Sequence, residues 1–461
     1  MQLPAALIRS LQTVKGFDEE AFRQVHASGG QVTSLRLNPN KIFNKLSLPF
    51  SGQLQRIPWC SNGYYLPERP SFTLDPLFHA GAYYVQEASS MFLEEAIKQS
   101  IDLSEPVKVL DLCAAPGGKS TLIQSIISEE SLLVSNEVIK TRVNILAENS
   151  SKWGVLNVVV TNNDPKDFQR LNNYFDMIVV DAPCSGSGLF RRDPAAIEEW
   201  SENNVELCSQ RQQRILADIM PALKEGGILI YSTCSYSEAE DENIADWLVE
   251  EFDMESLQLK TNDDWQIIET RSNRHHTFGY RFYPDKLKGE GFFIAAFRKG
   301  EQSGVGSRQP VAGNRKNKEM VVTAKDKAII LSLVEPAAGI SFMKQNECIL
   351  ALPPSVSHEL DLLRSSLYIK KAGVNLGTII RDQLIPDHEL ALSKLLSTAV
   401  QTIALDKEMA LQYLRREEIK PLTEIKGWAV IVYEGLPLGW VKALPNRINN
   451  YYPAAWRILR K

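Results

Sequence analysis

The chain has 461 residues and a formal net charge of −5, with 44% hydrophobic and 23% charged residues, the composition of a globular protein too long for a single core. No apolar run is long enough to span a bilayer. The six cysteines include no CxxC pair and no neighbouring His at metal-site spacing, which argues against a zinc centre or a disulfide framework.

The first residues, MQLPAALIRSLQTVKGFDEE, place Asp18, Glu19 and Glu20 straight after a short amphipathic stretch. That is unlike a secretory signal, and the expected compartment is the cytoplasm. Residues 24–43 (RQVHASGGQVTSLRLNPNKI) predict a helix end, a strand and an Asn-Pro-Asn turn. Residues 83–100 (YYVQEASSMFLEEAIKQS) carry helical periodicity at Val85, Ala88, Met91, Phe92 and Ile97. An N-terminal α+β domain is therefore expected over 1–100.

From about residue 105 strands and helices alternate. Apolar strands are expected at 107–112, 132–137, 157–162, 176–181 and 227–233, with a last one at 291–299 and a helix within 137–154. Runs this apolar suit strands buried on both faces of a parallel sheet, so an α/β domain is expected over 101–299. Ser237 and Glu240 form a capping-box pattern ahead of Ile244, Trp247 and Leu248, predicting another helix. Residues 300–318, rich in Gly, Ser, Lys and Arg, read as a linker. An intermediate α+β region over 319–395 follows. The end of the chain, 396–461, reads as a small β-barrel, because GWAVIVYEGLPLGWVKALPNRINNYYP (427–453) shows short strands broken by Gly-Leu-Pro and Leu-Pro-Asn turns.

The segment VLDLCAAPGGKST (109–121) sets a glycine loop directly after the first strand of the α/β domain, at the head of a helix. Ligands of parallel sheets bind at that edge. A triphosphate loop requires Gly where Cys113 stands, and a dinucleotide loop requires GxGxxG. S-adenosylmethionine has no phosphate and needs only close backbone approach, so Cys113, Ala114, Ala115, Pro116, Gly117, Gly118 and Lys119 are candidates to hold it. Glu137, ending the second strand, can accept bonds from two ribose hydroxyls. Asp164, after the third strand, is placed for the adenine amino group.

DAPCSGSGLFRRDP (181–194) follows the fourth strand and YSTCSYSEAEDEN (231–243) the fifth. Each puts a cysteine in a polar loop on the rim where the cofactor is expected. A lone cysteine is usually a small buried hydrophobe, which suffices for Cys60, Cys208 and Cys348, and Cys113 is expected only to pack. Cys184 and Cys234 converge on the predicted site. Two such thiols suit methylation of carbon 5 of cytosine. Thiolate addition at carbon 6 makes carbon 5 nucleophilic, an acid such as Asp181 neutralises charge at ring nitrogen 3, and a base then removes the carbon-5 proton. Lys119 can supply the electropositive setting a thiolate needs. Spacing alone does not say which cysteine attacks. Amino-group methylation is the runner-up, but the loop lacks the aromatic residue that chemistry uses. Thiol exchange between the two cysteines lacks a CxxC.

Through DLCAAPGGKS, DAPCSGSG with RRDP, YSTCSYSEAEDEN and HAGAYYVQEASSM (79–91), residues 80–300 resemble the Sun/Fmu-type RNA cytosine-C5 methyltransferases. The resemblance implies a Rossmann-like S-adenosylmethionine-dependent methyltransferase domain. It also implies Cys234 as nucleophile, Cys184 as the residue of release, Asp181 on the base, Lys119 as an active-site lysine, and 113–119 with Glu137, Asp164 and Asp181 around the cofactor. The C-terminal GLPLGWVK and N-x-YP pieces resemble a PUA-like RNA-binding module. The implied partner is RNA, small-subunit ribosomal RNA in the most similar branch, though relatives with this core act on transfer RNA. A non-catalytic ribosome-assembly factor is the other class considered. A monomer without metal or membrane partner is expected.

Basic residues cluster locally despite the net charge. Residues 270–289 interleave Arg271, Arg274, His275, His276, Arg281, Lys286 and Lys288 with Phe278, Tyr280, Phe282 and Tyr283, a pattern that fits phosphate contact plus base stacking or, equally, a solvated loop over core aromatics. Arg191 and Arg192 lie beside the Cys184 loop. Lys442, Arg447, Arg457, Arg460 and Lys461 meet no acid near the C-terminus, and the linker adds Arg308, Arg315, Lys316 and Lys318.

Overall fold

The computed structural model describes residues 3–45, 48, 50–301, 322–335, 339–419 and 425–459. Most of the expected linker, with its four basic residues, lies outside them, as do Arg460 and Lys461. The N-terminal region opens with two helices, Ala5–Leu11 and Glu19–Ala27, the second capped by Asp18 accepting from the Ala21 N–H. Four antiparallel strands follow: β1 (Thr33–Leu37), β2 (Gln55–Arg56), β3 (Gly63–Leu66) and β4 (Tyr83–Val85), in the order β2-β3-β1-β4. β4 corrects the helix expected from residue 83. Tyr83, Tyr84 and Val85 pair with Leu37, Arg36 and Leu35, and only Leu93–Ser100 forms the α-helix. Aromatic and β-branched side chains on a half-buried sheet outweigh the helical spacing here.

The central sheet has ten strands. Its parallel heart is β5 (Lys108–Asp111), β6 (Leu132–Asn136), β7 (Val158–Thr161), β8 (Phe175–Asp181) and β9 (Leu223–Thr233), in the spatial order β9-β8-β5-β6-β7. These fall where the apolar runs placed them. The antiparallel flank is β10 (Met254–Leu257), β11 (Ile268–Arg271), β12 (Phe278–Phe282) and β13 (Phe292–Lys299), with β13 pairing β9. The chain runs outward from β5 through β6 and β7, then returns to the other side of β5 as β8. The order therefore reverses between β5 and β8, and loops diverging there open a crevice at the strands' carboxyl ends. Both faces of the sheet are packed: Val109, Leu133, Val158 and Val179 on one side, Leu110, Val134, Val159 and Ile178 on the other.

The remaining residues enclose this unit. β14 (Ser341–Gln345), β15 (Cys348–Leu352), β17 (Val374–Ile380) and β18 (Gln383–Pro386) make a separate antiparallel sheet. Between them, β16 (Ile369–Ala372) pairs antiparallel with β7 and covers the edge of the central sheet. The helix Pro354–Ser366 sets Val356, Leu360 and Leu363 into the same cluster as Leu110 and Val159. Last come β19 (Thr402–Ala404), β20 (Gly427–Tyr433), β21 (Leu436–Leu444) and β22 (Arg447–Asn450). Their hairpin turns at Glu434–Gly435, both at positive φ, one residue ahead of the expected Gly-Leu-Pro turn. This sheet shares one core with the N-terminal sheet: Leu35 and Tyr83 cluster with Tyr413, Ile431 and Tyr452. Among the described residues no helix is long and apolar enough to cross a membrane.

The expected capping box does not form. The Ser237 side chain caps nothing, and the helix begins at Glu242 (Glu242–Phe252). Asp241 and Glu242 instead meet Arg281, whose side chain is 1% exposed. Its Nε donates to Glu242 at 2.7 Å, its Nη1 donates to the Tyr236 carbonyl at 2.9 Å, and its Nη2 pairs with Glu242 and lies 3.2 Å from Asp241. Burial opposes the charge, but the two carboxylates outweigh it and hold the guanidinium above its ordinary pKa. Arg281 is thus an interior ion, which corrects its assignment to an RNA surface. Removing one partner of a buried ion cluster strands the others. Arg281→Leu should lower the unfolding free energy by about 3–5 kcal/mol, read from the shift in urea midpoint.

Candidate active site

The glycine loop after β5 is tied through its backbone to β6 and to the helix Lys140–Trp153. The Ala114 N–H donates to the Asn136 carbonyl at 2.8 Å, Arg142 Nη2 to the Ala115 carbonyl at 2.6 Å, and Asn149 Nδ2 to the Pro116 carbonyl at 2.8 Å. These bonds spread residues 113–118 across the strand ends. Gly117 sits at φ +117°, a conformation that favours glycine, and leads into the helix Gly118–Gln124. At the end of β5, Asp111 is fully buried and accepts from Ser120 Oγ at 2.6 Å, while its Oδ1 has no partner. Burial pushes its carboxyl up to about 7.

The acids after β6 and β7 are both anchored. Glu137 accepts the Ile139 N–H at 2.8 Å and lies 3.4 Å from Arg142. Asp164 caps the short 3-10 helix starting at Pro165. Asn136 stitches three loops together: its Nδ2 donates to the Leu112 and Asn163 carbonyls, and its Oδ1 accepts from Thr161 Oγ1 and the Asn163 N–H. Asn136 and Asp111 carry no signal of their own in the sequence, because both lie within runs that read as hydrophobic strands.

Across the crevice, Asp181 ends β8. It accepts from Ser232 Oγ at 2.9 Å and pairs with Lys119 Nζ at 2.7 Å. The ammonium of Lys119 also sits 5.2 Å from the centre of the Phe292 ring. The glycine loop and the fourth-strand loop thus meet through one ion pair.

The two cysteines come together, with Cys184 Sγ 2.9 Å from Cys234 Sγ. That hydrogen bond, and after it burial, pushes the Cys184 thiol well above its ordinary pKa. Cys184 is therefore held as the neutral thiol, and either sulfur can be the donor in the contact. Behind them lies Glu240, which is fully buried. It accepts from the Ser185 N–H (2.8 Å), Ser185 Oγ (2.5 Å), Ser235 Oγ (2.6 Å) and Gln212 Nε2 (3.2 Å). Glu240 reads from the sequence only as half of a capping box, and Gln212 carries no local signal. The acidic run that follows Cys234 reads equally well as the start of a helix. Cys60 instead bonds Glu94, Cys208 packs in the helix Glu202–Ile219, and Cys348 starts β15. Cys113 is half-buried beside Asp111 in the glycine loop.

The expected RNA contacts divide. Arg191 is an internal tie, not a surface cation: it donates to the Gly289 and Gly30 carbonyls and lies 3.4 Å from buried Glu290, its side chain 7% exposed. Tyr280, Phe282 and Tyr283 are core aromatics, so the interleaved stacking pattern does not hold. Arg192, Arg271, Arg274 and Arg447 are exposed. Arg271 lies 3.8 Å from the Phe278 ring centre, and Arg274 pairs with Glu250. Lys442 is half-buried, 5.2 Å from the Trp428 ring centre.

The chain matches three family models: 16S rRNA methyltransferase RsmB/F over residues 99–298, the N-terminal domain of 16S rRNA methyltransferase RsmF over 3–88, and the methyltransferase RsmF PUA domain over 400–458. It is 30% identical over 440 residues to the ribosomal RNA small subunit methyltransferase F of Pectobacterium atrosepticum, covering 91% of this chain and 88% of that protein. The protein of the same name from Shewanella piezotolerans is 30% identical over 438 residues, covering 91% and 90%. Among solved structures, a methyltransferase homolog protein from Pyrococcus horikoshii is 29% identical with TM-score 0.51, covering 64% of this chain and 100% of that one. NSun6 from Pyrococcus horikoshii with SFG, 20% identical with TM-score 0.53 over 65% and 99%, shares the fold.

One contact sets the backbone beneath the cysteines. The Gly188 N–H donates to the Cys234 carbonyl at 2.8 Å, and a Cβ on Gly188 would lie 2.5 Å from the Gly291 carbonyl oxygen and 2.7 Å from that of Cys234. Gly188→Ala must push the two loops apart. It should lower stability by about 1–3 kcal/mol and raise the native-state reactivity of the paired thiols toward a disulfide reagent such as DTNB, followed by absorbance.

Proposed function

Because the chain belongs to the ribosomal RNA small subunit methyltransferase F family, we propose that it transfers a methyl group from S-adenosylmethionine to carbon 5 of a cytosine in RNA. We take the substrate to be small-subunit ribosomal RNA, with Cys234 as the covalent nucleophile. The observation that carries this reading is the 2.9 Å pairing of two thiols beside the Lys119–Asp181 ion pair. Amino-group methylation needs neither thiol.

The crevice suits S-adenosylmethionine. Gly117 and Gly118 present backbone without side-chain bulk, and the loop carries no phosphate-binding pattern. Glu137 spends one carboxylate oxygen on the Ile139 N–H and retains acceptor capacity for ribose hydroxyls, with Asp164 nearby for the adenine amino group. The bound cofactor supplies an electrophilic sulfonium methyl group.

The residues of the chain supply the rest. A target base must leave its stack to reach this depth. The Cys234 thiolate forms a bond to carbon 6, and ring nitrogen 3 takes a proton held at the Lys119–Asp181 pair. Carbon 5, now enamine-like, accepts the methyl group. The largest influence holding the Cys184 proton is its bond to Cys234. With the Cys234 sulfur bonded to carbon, Cys184 gives up its proton to solvent. The Cys184 thiolate then removes the carbon-5 proton, the sulfur–carbon bond breaks, and nitrogen 3 returns its proton. The cycle ends with both cysteines restored, a methylated base and one proton released.

Nucleoside mass spectrometry of RNA incubated with the enzyme should find 5-methylcytidine. Cys234→Ala should abolish it, while Cys184→Ala should accumulate a covalent protein–RNA adduct visible on a denaturing gel. Asp181→Asn should slow turnover by about 10²–10⁴-fold. A methyl group on an exocyclic nitrogen, or full activity in Cys234→Ala, would overturn the assignment.

A further inference from the structure

We propose that Glu240 is the positioning residue of the thiol pair, a single carboxylate that sets the distance between Cys184 and Cys234. The two cysteines lie on loops after different strands, whose backbones are tied by the Ala182 N–H to the Ser232 carbonyl and the Gly188 N–H to the Cys234 carbonyl, both at 2.8 Å, while Glu240 joins the residues that directly follow each sulfur. Ser185 directly follows Cys184, and Ser235 directly follows Cys234. Both serines end on the same carboxylate, at 2.5 and 2.6 Å from Oε2. Oε1 takes the Ser185 N–H at 2.8 Å and Gln212 Nε2 at 3.2 Å. Gln212 donates also to the Pro183 carbonyl at 3.1 Å, so the Cys184 loop is held on both sides of the sulfur.

The carboxylate is itself immobilised. Its backbone carbonyl accepts from the Tyr231 hydroxyl at 2.6 Å, which anchors it to β9, and the preceding carbonyl of Ala239 accepts from Ser209 Oγ at 2.8 Å. All four donors face one carboxyl group that is 0% exposed, and in a buried setting such bonds are strong and their loss is costly. Shortening the side chain by one methylene leaves it unable to reach both loops. An amide of the same length keeps an oxygen for the two N–H donors, and its NH2 can face the two serine hydroxyls, which rotate to accept.

The proposal builds on the proposed roles of the cysteines only for its effect on turnover, so the deciding experiment reads sulfur geometry directly. Diamide accepts two electrons and two protons from a thiol pair as the S–S bond forms, and the rate depends on how often the two sulfurs are in register. The intact protein is treated with diamide, and the Cys184–Cys234 linkage is followed by peptide mass spectrometry. Glu240→Ala and Glu240→Asp should slow the linkage by about tenfold or more, and Glu240→Gln should recover most of the rate. A native linkage rate in Glu240→Ala that retains its near-ultraviolet circular dichroism would overturn the proposal.

If Glu240→Ala does not fold, the Ser185→Ala, Ser235→Ala double variant removes both hydroxyl arms and leaves the carboxylate in place. Slower linkage supports the proposal, and an unchanged rate overturns it. In the RNA assay, Glu240→Ala should raise trapped adduct relative to product. Slowed linkage without that change would support positioning by Glu240 while counting against the release role of Cys184.

Discussion

A buried carboxylate behind two loops is the constraint on which the site depends. Parallel strands deliver β8 and β9 side by side, but the loops after them are rich in Ser and Gly and have little apolar surface of their own. Glu240 gives those loops a common anchor, and Arg281 with Asp241 and Glu242 fixes the segment that carries it. The two groups divide the work. Arg281 offsets the two acids packed against it in the interior, and in the proposed arrangement Glu240 turns that platform into a fixed distance between the sulfurs. Neither arrangement is economical as a source of stability, since buried ions recover little more than their desolvation cost. What they contribute is one conformation.

The pairing of the thiols has a logic that follows from the same low-dielectric interior. Two sulfurs in contact cannot both carry charge, so one proton is shared and the pair behaves as a unit. In the proposed reaction, bonding Cys234 to carbon is the event that frees its partner, so the contact between the two side chains would set the order of the steps.

The parallel strands, the glycine loop and the two cysteine loops were legible in the sequence because each carries a local signal: apolar runs bounded by polar residues, and small residues where backbone must approach. What was not legible depends on partners far along the chain. Glu240 sits in an acidic run that reads as a helix cap until Ser185 is seen opposite it. Arg281 looks like a surface cation until Glu242 is found against it, and Arg191 likewise until the Gly30 and Gly289 carbonyls meet it. Tyr83–Val85 has helical spacing, but its pairing with β1 decides its conformation. Charged residues are the ones sequence places least well, because burial reverses their meaning.

The core shared between the first and last sheets has a consequence for synthesis. β1 and β4 emerge from the ribosome well before the residues that complete their hydrophobic cluster, Ile431 and Tyr452 among them. The N-terminal sheet must wait, partly uncovered, while the whole methyltransferase unit is translated. The two sheets therefore close on each other only after the segment between them has been made, and a chain cut short of Ile431 leaves the apolar face of β1 and β4 bare.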